Sequence, residues 1–497
     1  MIPAQKFFRI IAKAKIQYIF IFSCFIQLPM LFFNISEADS FRFSQTTLEV
    51  KQFMTSGFDP RTPLPIFGNH SYIPFEFPLF QGIAASLGKI LGLSPIVATR
   101  LTALLFFQIS CFLLFKISKI YFSPHVAKIA VILFEFTPFG LRFAHSPLIE
   151  FAPIALMLFS LYIFTRIEEI NLLFLKISGY FLALLAFDFS YLSKVTTGIA
   201  LTPLILLPVF RKEGNAIKSI RRLNQFLFVA ACLVTGSVLT YRWNLYADKA
   251  KSLNPLSAYL ISTTPQMKAW NIGSVHDRFS LKSIETIFMQ YMGPISGGIL
   301  VVLFLFIFAL RKNEVRVFIL VLIFTIFFPI ILFFNLYKNH EYYVSAIYPV
   351  IILLNAVGIV ALAEFLNPLR VKRIVSVFLI LYFIFSTDTR YGINYWSDIL
   401  SHSKPPSLAA ALAKNVPQGE MIMYLGCDWN PEIPYYVDRP TLMVPDWNIK
   451  PLDSDLSLVR YVFFCNIVKE QQDQKIKKYF KDKTRVERLN ADLFKVG

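Results

Sequence analysis

Charge is scarce in this 497-residue chain: Asp, Glu, Lys and Arg make up only 16% of it, while 56% is hydrophobic. A water-soluble domain carries about a quarter charged residues. The composition therefore excludes an ordinary soluble protein and points to a polytopic membrane protein. Acidic residues are the scarcer sign, 31 against 49 basic, for a net charge of +18. Such a surplus can mark a nucleic-acid binder. Here most basic residues lie in short loops between apolar runs, where they fix membrane orientation, so nucleic acid is not an expected partner. Cysteine is sparse, with five in all and none at metal-ligand spacing, which excludes a cysteine-held metal centre. Cys24, Cys111 and Cys232 lie in apolar runs and read as small hydrophobes. No repeat of fixed period and no low-complexity tract is visible, which excludes a solenoid. The first apolar run lacks a small-x-small cleavage site at Leu31-Phe32-Phe33-Asn34, so it reads as a retained helix.

What the chain has is long apolar runs, with Phe alone counting 53. A bilayer-spanning helix needs about 20 mostly apolar residues, and about eleven stretches approach that criterion. The first is Ile16 to Phe33. The others fall near 96–118, 124–142, 147–165, 171–190, 197–211, 224–243, 293–310, 316–337, 343–364 and 374–391. Lys6, Arg9, Lys13 and Lys15 precede the first. Lys116 and Lys119, Arg166, Arg211 to Arg222, Arg311 to Arg316 and Arg370 to Arg373 occupy alternate short loops. By the positive-inside rule these loops and the N-terminus are cytoplasmic. An odd number of spans then puts the C-terminal segment outside. The expected location is the cytoplasmic (inner) membrane.

Two outer loops are long, 34–95 and 244–290. The first holds Pro60, Pro63, Pro65, Pro74 and Pro78, so it cannot be one helix. Its pieces Ser44 to Met54 and Leu79 to Leu91 have amphipathic helical spacing suited to the membrane surface. From about Ser397 the composition turns polar. Leu408 to Lys414 and Glu470 to Lys481 read as helix. Met421 to Leu425, Thr441 to Val444, Arg460 to Cys465 and Leu493 to Val496 read as strand. The expected fold is mainly α: a transmembrane helical bundle over 1–396, with a small extracytoplasmic α/β domain over 397–497. Cys427 and Cys465 follow strand-like runs that could be neighbours in one sheet, outside the cytoplasm where disulfides persist. Strand order is not readable, so bridged and free thiols both stand.

Ionisable groups are costly in a bilayer, so their positions inform. Glu37, Asp39, Arg42, Glu76, Arg142, His145, Glu150, Asp188, Lys194, His340 and Glu341 come from distant parts of the chain. Each falls at an outer helix end or in the first outer loop; only Glu135 reads deeper. Carboxylates and cations gathered at one level suit chemistry on a lipid-borne substrate. A secondary transporter would instead place polar groups at the midplane, between broken paired repeats.

Several segments carry a resemblance. They are Glu37-Ala38-Asp39-Ser40-Phe41-Arg42 with Gln45-Thr46, and Phe75-Glu76-Phe77-Pro78-Leu79 followed by Gly92-Leu93-Ser94-Pro95 and Arg100-Leu101. Further along come Arg142-Phe143-Ala144-His145-Ser146-Pro147-Leu148-Ile149-Glu150, Leu192-Ser193-Lys194-Val195-Thr196-Thr197-Gly198, and His340-Glu341-Tyr342-Tyr343 with Pro349. Together, over about residues 10 to 450, the chain resembles the GT-C-fold glycosyltransferases of the protein-mannosyltransferase and aminoarabinose-transferase superfamily. Many relatives have adjacent Asp-Glu in the first loop. Here Ala38 separates the acids, and Asp39 is favoured because Arg42 and Gln45 follow it at the expected positions.

The resemblance implies transfer of a sugar from a polyprenyl-phosphate donor to an acceptor hydroxyl on a lipid, glycan or protein, with inversion at the anomeric carbon. Such chemistry needs a base for the hydroxyl proton. It needs negative charge near an oxocarbenium-like transition state, and cations for the departing phosphate. Asp39 is the expected base, with Glu37 the alternative. Glu150 would orient the acceptor or support a metal. Lys194, Arg142 and His340 are candidates for the phosphate, with Arg42, Glu76, His145, Tyr342 and Tyr343 lining the site. Tyr342 and Tyr343 fit an interfacial aromatic belt equally well. Converging carboxylates and imidazoles leave a divalent metal open, although no helix-spaced ligand pair supports one. The competing reading is a non-enzymatic flippase or transporter of polyprenol-linked glycans.

Overall fold

A break in one helix sets the geometry of the site. The expected span 124–142 is two helices, Pro124–Phe136 and Pro138–Phe143. Pro138 lacks the N–H that would reach back to the carbonyl of Phe134, and its ring turns Thr137 to extended backbone (φ −66°, ψ 148°). The orphaned Phe134 carbonyl accepts instead from the Tyr348 hydroxyl at 2.6 Å, which also meets the Thr137 hydroxyl at 2.7 Å. Glycine is required at 140. A Cβ there would lie 2.3 Å from the Phe134 carbonyl oxygen and 2.4 Å from the Tyr348 hydroxyl. The second, short helix ends in the Arg142 segment.

The computed structural model describes residues 15–35, 40–69, 71–211, 218–296, 298–366, 369–385, 406–445, 449–465, 469–480, 486–489 and 492–496. Among these, five helices are long and apolar enough to cross a membrane: Pro95–Tyr121, Leu173–Ser193, Arg222–Lys251, Asn313–Leu332 and Tyr348–Phe365. Shorter apolar helices cover Ile16–Phe32, Leu79–Leu91, Phe151–Arg166, Val195–Phe210 and Val301–Leu310. Leu173, Phe174 and Phe181 are largely exposed on Leu173–Ser193. Apolar surface so placed fits hydrocarbon rather than water. The chain is a multi-pass membrane protein. The last expected span, 374–391, is seen as the helix Leu369–Phe385, and its residues 386–391 lie outside the described ones. The region 197–211 is a run of short helical pieces, Val195–Leu201, Thr202–Leu206 and Leu207–Phe210, divided near Pro203 and Pro208, which remove donors. The helix expected to end near Trp243 continues to Lys251.

The chain divides into two compact units. One comprises Met1–Leu31, Arg100–Tyr241 and Ala269–Ser401; the other comprises Phe32–Thr99, Arg242–Lys268 and His402–Gly497. The first is helical. Phe151–Arg166 and Leu173–Ser193 form a tight pair, because small hydroxyls let the backbones approach. Ser160 donates to the Ala183 carbonyl at 2.7 Å and Ser190 to the Pro153 carbonyl at 2.8 Å.

The second unit holds the sheet. Its strands are β1 (Met421–Leu425), β2 (Thr441–Val444), β3 (Val459–Phe464), β4 (Val486–Arg488) and β5 (Leu493–Val496), in the order β2-β1-β3-β5-β4. β1 runs parallel to β2 and β3, while β5 is antiparallel to β3 and β4. The unit also takes in the long first loop expected over 34–95. Leu64, Ile66, Phe67, Ile73, Leu256 and Leu260 share one apolar core with the sheet. The Met443 N–H donates to the Ile66 carbonyl at 2.6 Å and the Gly68 N–H to the Thr441 carbonyl at 3.0 Å. Cys427 and Cys465, after the adjacent parallel strands β1 and β3, form a disulfide with Cα atoms 5.0 Å apart.

Candidate active site

Each unit carries one cluster of the expected site residues. In the helical unit, Lys194 sits where Leu173–Ser193 ends and Val195–Leu201 begins, with extended backbone (φ −165°, ψ 100°). The turn is tight: a Cβ on Gly198 would lie 2.6 Å from the Tyr191 ring. Glu150 stands immediately before the helix Phe151–Arg166. Both side chains are buried, and the Lys194 ammonium is ion-paired and hydrogen-bonded to the Glu150 Oε1. The same ammonium lies 4.2 Å from the Tyr343 ring centroid and 5.1 Å from that of Tyr342, within cation–π range.

The aromatic wall continues. Helix Phe334–Asn339 ends at His340, and a 3-10 turn spans Glu341–Ala346. Tyr342 stacks on His340 at 5.2 Å and on Tyr343 at 5.0 Å. Trp270, not expected here, packs 5.9 Å from His340. Its signal in the sequence was only a tryptophan in a polar outer segment. Between His340 and Tyr342, Glu341 takes the Arg142 guanidinium in a buried ion pair of 2.8 Å. Two buried charge pairs thus flank one short turn, an arrangement that costs desolvation and needs full pairing.

His145 is buried beside them in sequence but has its own partners. Its Nδ1 lies 2.6 Å from the Gln27 Oε1, and its carbonyl accepts from Arg100 at 3.2 Å. Burial holds its pKa well below the ordinary imidazole value, and the Arg100 charge adds to the fall. At neutral pH it is uncharged, able to exchange hydrogen bonds but not to neutralise a phosphate.

In the sheet-bearing unit, the helix Ser40–Ser56 begins just after the acidic motif. Glu37 and Asp39 themselves lie outside the described residues. Arg42, on the first turn, pairs with Glu76 at 2.6 Å and lies 5.9 Å from the Phe75 ring. Its other terminal nitrogen donates to Gln45 at 2.7 Å. Phe41 and Phe75 both pack on Trp429, at 4.6 and 5.8 Å, and Ser40 donates to Glu432 at 2.7 Å. The start of this helix is therefore held by side chains that follow β1. Among the described residues, no group of three or more His, Cys, Asp or Glu side chains is placed to hold a metal ion.

Residues 74–241 match the family described as dolichyl-phosphate-mannose-protein mannosyltransferase. No curated protein matches the sequence. Among solved structures, the chain is similar to ArnT from Cupriavidus metallidurans bound to undecaprenyl phosphate. The TM-score is 0.61 and the identity 13%, over 97% of this chain and 97% of that one. The apo state of the same protein gives a TM-score of 0.57 and 14% identity, with the same 97% coverage of each chain. The archaeal oligosaccharyltransferase AglB from Archaeoglobus fulgidus, in complex with an inhibitory peptide and a dolichol-phosphate, gives 0.52 and 11%, over 90% of this chain and 69% of that one. The protein is thus a multi-pass membrane protein with the GT-C glycosyltransferase fold.

Proposed function

We propose that this protein transfers a sugar from a polyprenyl-phosphate-linked donor to an acceptor hydroxyl at the outer face of the cytoplasmic membrane. The observation that carries the reading is the buried Lys194–Glu150 pair, walled by Tyr342 and Tyr343, inside a segment that matches a lipid-linked sugar transferase family. The similar ArnT structure binds undecaprenyl phosphate and the AglB structure a dolichol-phosphate, which supports a lipid phosphate as the donor's leaving group.

In this reading Asp39 takes the acceptor's proton. A carboxylate suits the task because it is basic enough to accept a proton as the hydroxyl attacks, and its charge favours the electron-poor anomeric carbon. Attack from the face opposite the lipid phosphate inverts that carbon. Lys194 is the candidate of the helical unit for the departing phosphate, and Arg42, held by Glu76, is the candidate of the sheet-bearing unit. Arg142 and His340 are further candidates for the phosphate, and Tyr342 and Tyr343 offer flat faces to the sugar. Glu150 orients Lys194 and the acceptor. The N-terminus is cytoplasmic and the sheet lies outside, where the Cys427–Cys465 bridge is stable. The test is transfer by the purified chain from a polyprenyl-phosphate sugar to an acceptor, with release of free polyprenyl phosphate. Loss of transfer in both Asp39→Asn and Lys194→Ala is expected. Undiminished transfer in both would overturn the assignment.

A further inference from the structure

The helix Ser40–Ser56 carries a polar row of which the chemistry above uses only Arg42. Arg42, Gln45 and Glu49 fall three and four residues apart, so they line one face. Gln45 and Glu49 are each 2% exposed, and Gln81 on the helix Leu79–Leu91 is 4% exposed. The hydrogen bonds run in one direction. Arg42 Nη1 donates to Gln45 Oε1 at 2.7 Å, and Gln45 Nε2 donates to Glu49 Oε1 at 3.0 Å. From the other side, Gln81 Nε2 donates to Glu49 Oε2 at 2.7 Å. Arg42 Nη2 is meanwhile held by Glu76 at 2.6 Å.

The two ends of this row fix its polarity. A guanidinium can only donate, and an ionised carboxylate can only accept. Gln45 has one face of each kind. It must turn its NH2 to Glu49 and its oxygen to Arg42. Gln45 and Gln81 each donate to a different oxygen of Glu49, so if residue 49 were glutamine, one of those two positions would be an NH2, which cannot accept from the amide it faces. Gln45 could then rotate, and its NH2 would meet the guanidinium. Burying a carboxylate is costly, and an apolar residue would pack there more cheaply. What a carboxylate supplies is two acceptors on one rigid plane.

We infer that Glu49 is a positioning residue, which through Gln45 sets the plane of the Arg42 guanidinium toward the donor phosphate. This rests on the reading above, in which Arg42 meets that phosphate. A guanidinium held at both terminal nitrogens keeps a fixed plane, and planar recognition of phosphate depends on it.

The same row makes the hold depend on pH. Burial raises the Glu49 carboxyl to about 7, opposed by Arg42 and by the Gln45 and Gln81 hydrogen bonds, with Glu76 adding to the rise. The helix Glu432–Val437 and the residue after it also face Ser40–Ser56, but Glu432 is held by Ser40 and Asp438 by Lys51. Above about pH 7 Glu49 accepts from both amides. Below it, the bound proton turns one acceptor into a donor and the row loosens.

The test is binding of undecaprenyl phosphate to the purified full-length chain in nanodiscs, followed from pH 5.5 to 8.5. Arg42→Ala should weaken binding about 10-fold or more. Glu49→Gln should weaken it roughly 5-fold at pH 8, and the gap from wild type should close below pH 6. The ligand's own titration is common to both proteins and cancels in that comparison. In the double variant the Glu49→Gln effect should vanish, because its target is gone. Gln45→Met, a second break in the same row, should match Glu49→Gln, and it decides the matter if Glu49→Gln does not fold. Folded Glu49→Gln or Gln45→Met that binds as wild type, or effects that add to Arg42→Ala, would overturn the inference while leaving the phosphate role of Arg42 standing. Wild-type binding by Arg42→Ala would overturn that role, and this inference with it.

Discussion

At the scale of single residues, the account separates groups that act on substrate from groups that hold them. Asp39 is assigned the proton transfer, so Asp39→Asn should lower the transfer rate about 100-fold or more. Membrane insertion and yield should persist. Turnover like wild type would move the base to Glu37, tested by Glu37→Gln in the same assay. Lys194 is tied to Glu150 and lies over Tyr343. Lys194→Ala should cut affinity for the lipid-phosphate donor, while Lys194→Arg should retain part of it, because charge survives and geometry does not. Equal donor affinity in Lys194→Ala and wild type would reduce this lysine to a structural ion pair. Glu341 belongs to the holding class. It is buried against Arg142, and Glu341→Ala removes that carboxylate from a buried ion pair. A loss of about 3–5 kcal/mol is expected, read as a lower melting temperature in detergent that Glu341→Gln should partly restore. An unchanged melting temperature for Glu341→Ala would show that the pair is not needed.

At the scale of elements, the sequence spoke most clearly where pattern and punctuation agreed. Leu79 to Leu91 was readable as a helix, and Met421 to Leu425, Thr441 to Val444 and Leu493 to Val496 as strands, because turn residues bound each run. All four are observed with the same bounds. The break at Thr137-Pro138 was hidden by unbroken apolar character on both sides. The helix running on to Lys251 was hidden because its polar last turns read as loop. β4, at three residues, is too short to carry a period. At the candidate site, Lys194, Glu150, Arg142 and Glu341 could be singled out because ionisable groups stand out in an apolar chain. The partner choices were not: that Arg142 goes to Glu341 and Lys194 to Glu150 depends on tertiary placement. Glu49 was missed because nothing local marks a buried polar residue in a polar segment, Gln81 because the polar positions of an amphipathic helix read as solvent-facing, and Trp270 because its partner His340 is distant in sequence. The disulfide belongs to this scale as well. It ties the ends of β1 and β3, 38 residues apart, immediately before the loop that sets Trp429 against Phe41 and Phe75. Replacing both cysteines by serine should cost roughly 2–4 kcal/mol of the sheet's stability. Two freely alkylated thiols at 427 and 465 in non-reduced protein would contradict the bridge.

At the scale of the whole molecule, the GT-C fold and the multi-pass membrane character hold at low sequence identity, 13% to the ArnT structure. Fold by itself does not fix substrate; the proposed chemistry rests on the residues placed at the site. Its central claim is that the lipid-linked sugar is cleaved and passed on, not carried across. The most direct measurement uses purified protein in sealed vesicles, with a panel of polyprenyl-phosphate sugars labelled in the sugar. The account predicts release of polyprenyl phosphate together with a glycoside of inverted anomeric configuration, and loss of both in Asp39→Asn. Movement of intact lipid-linked sugar between leaflets, with no glycosidic bond formed and no dependence on Asp39, would contradict it.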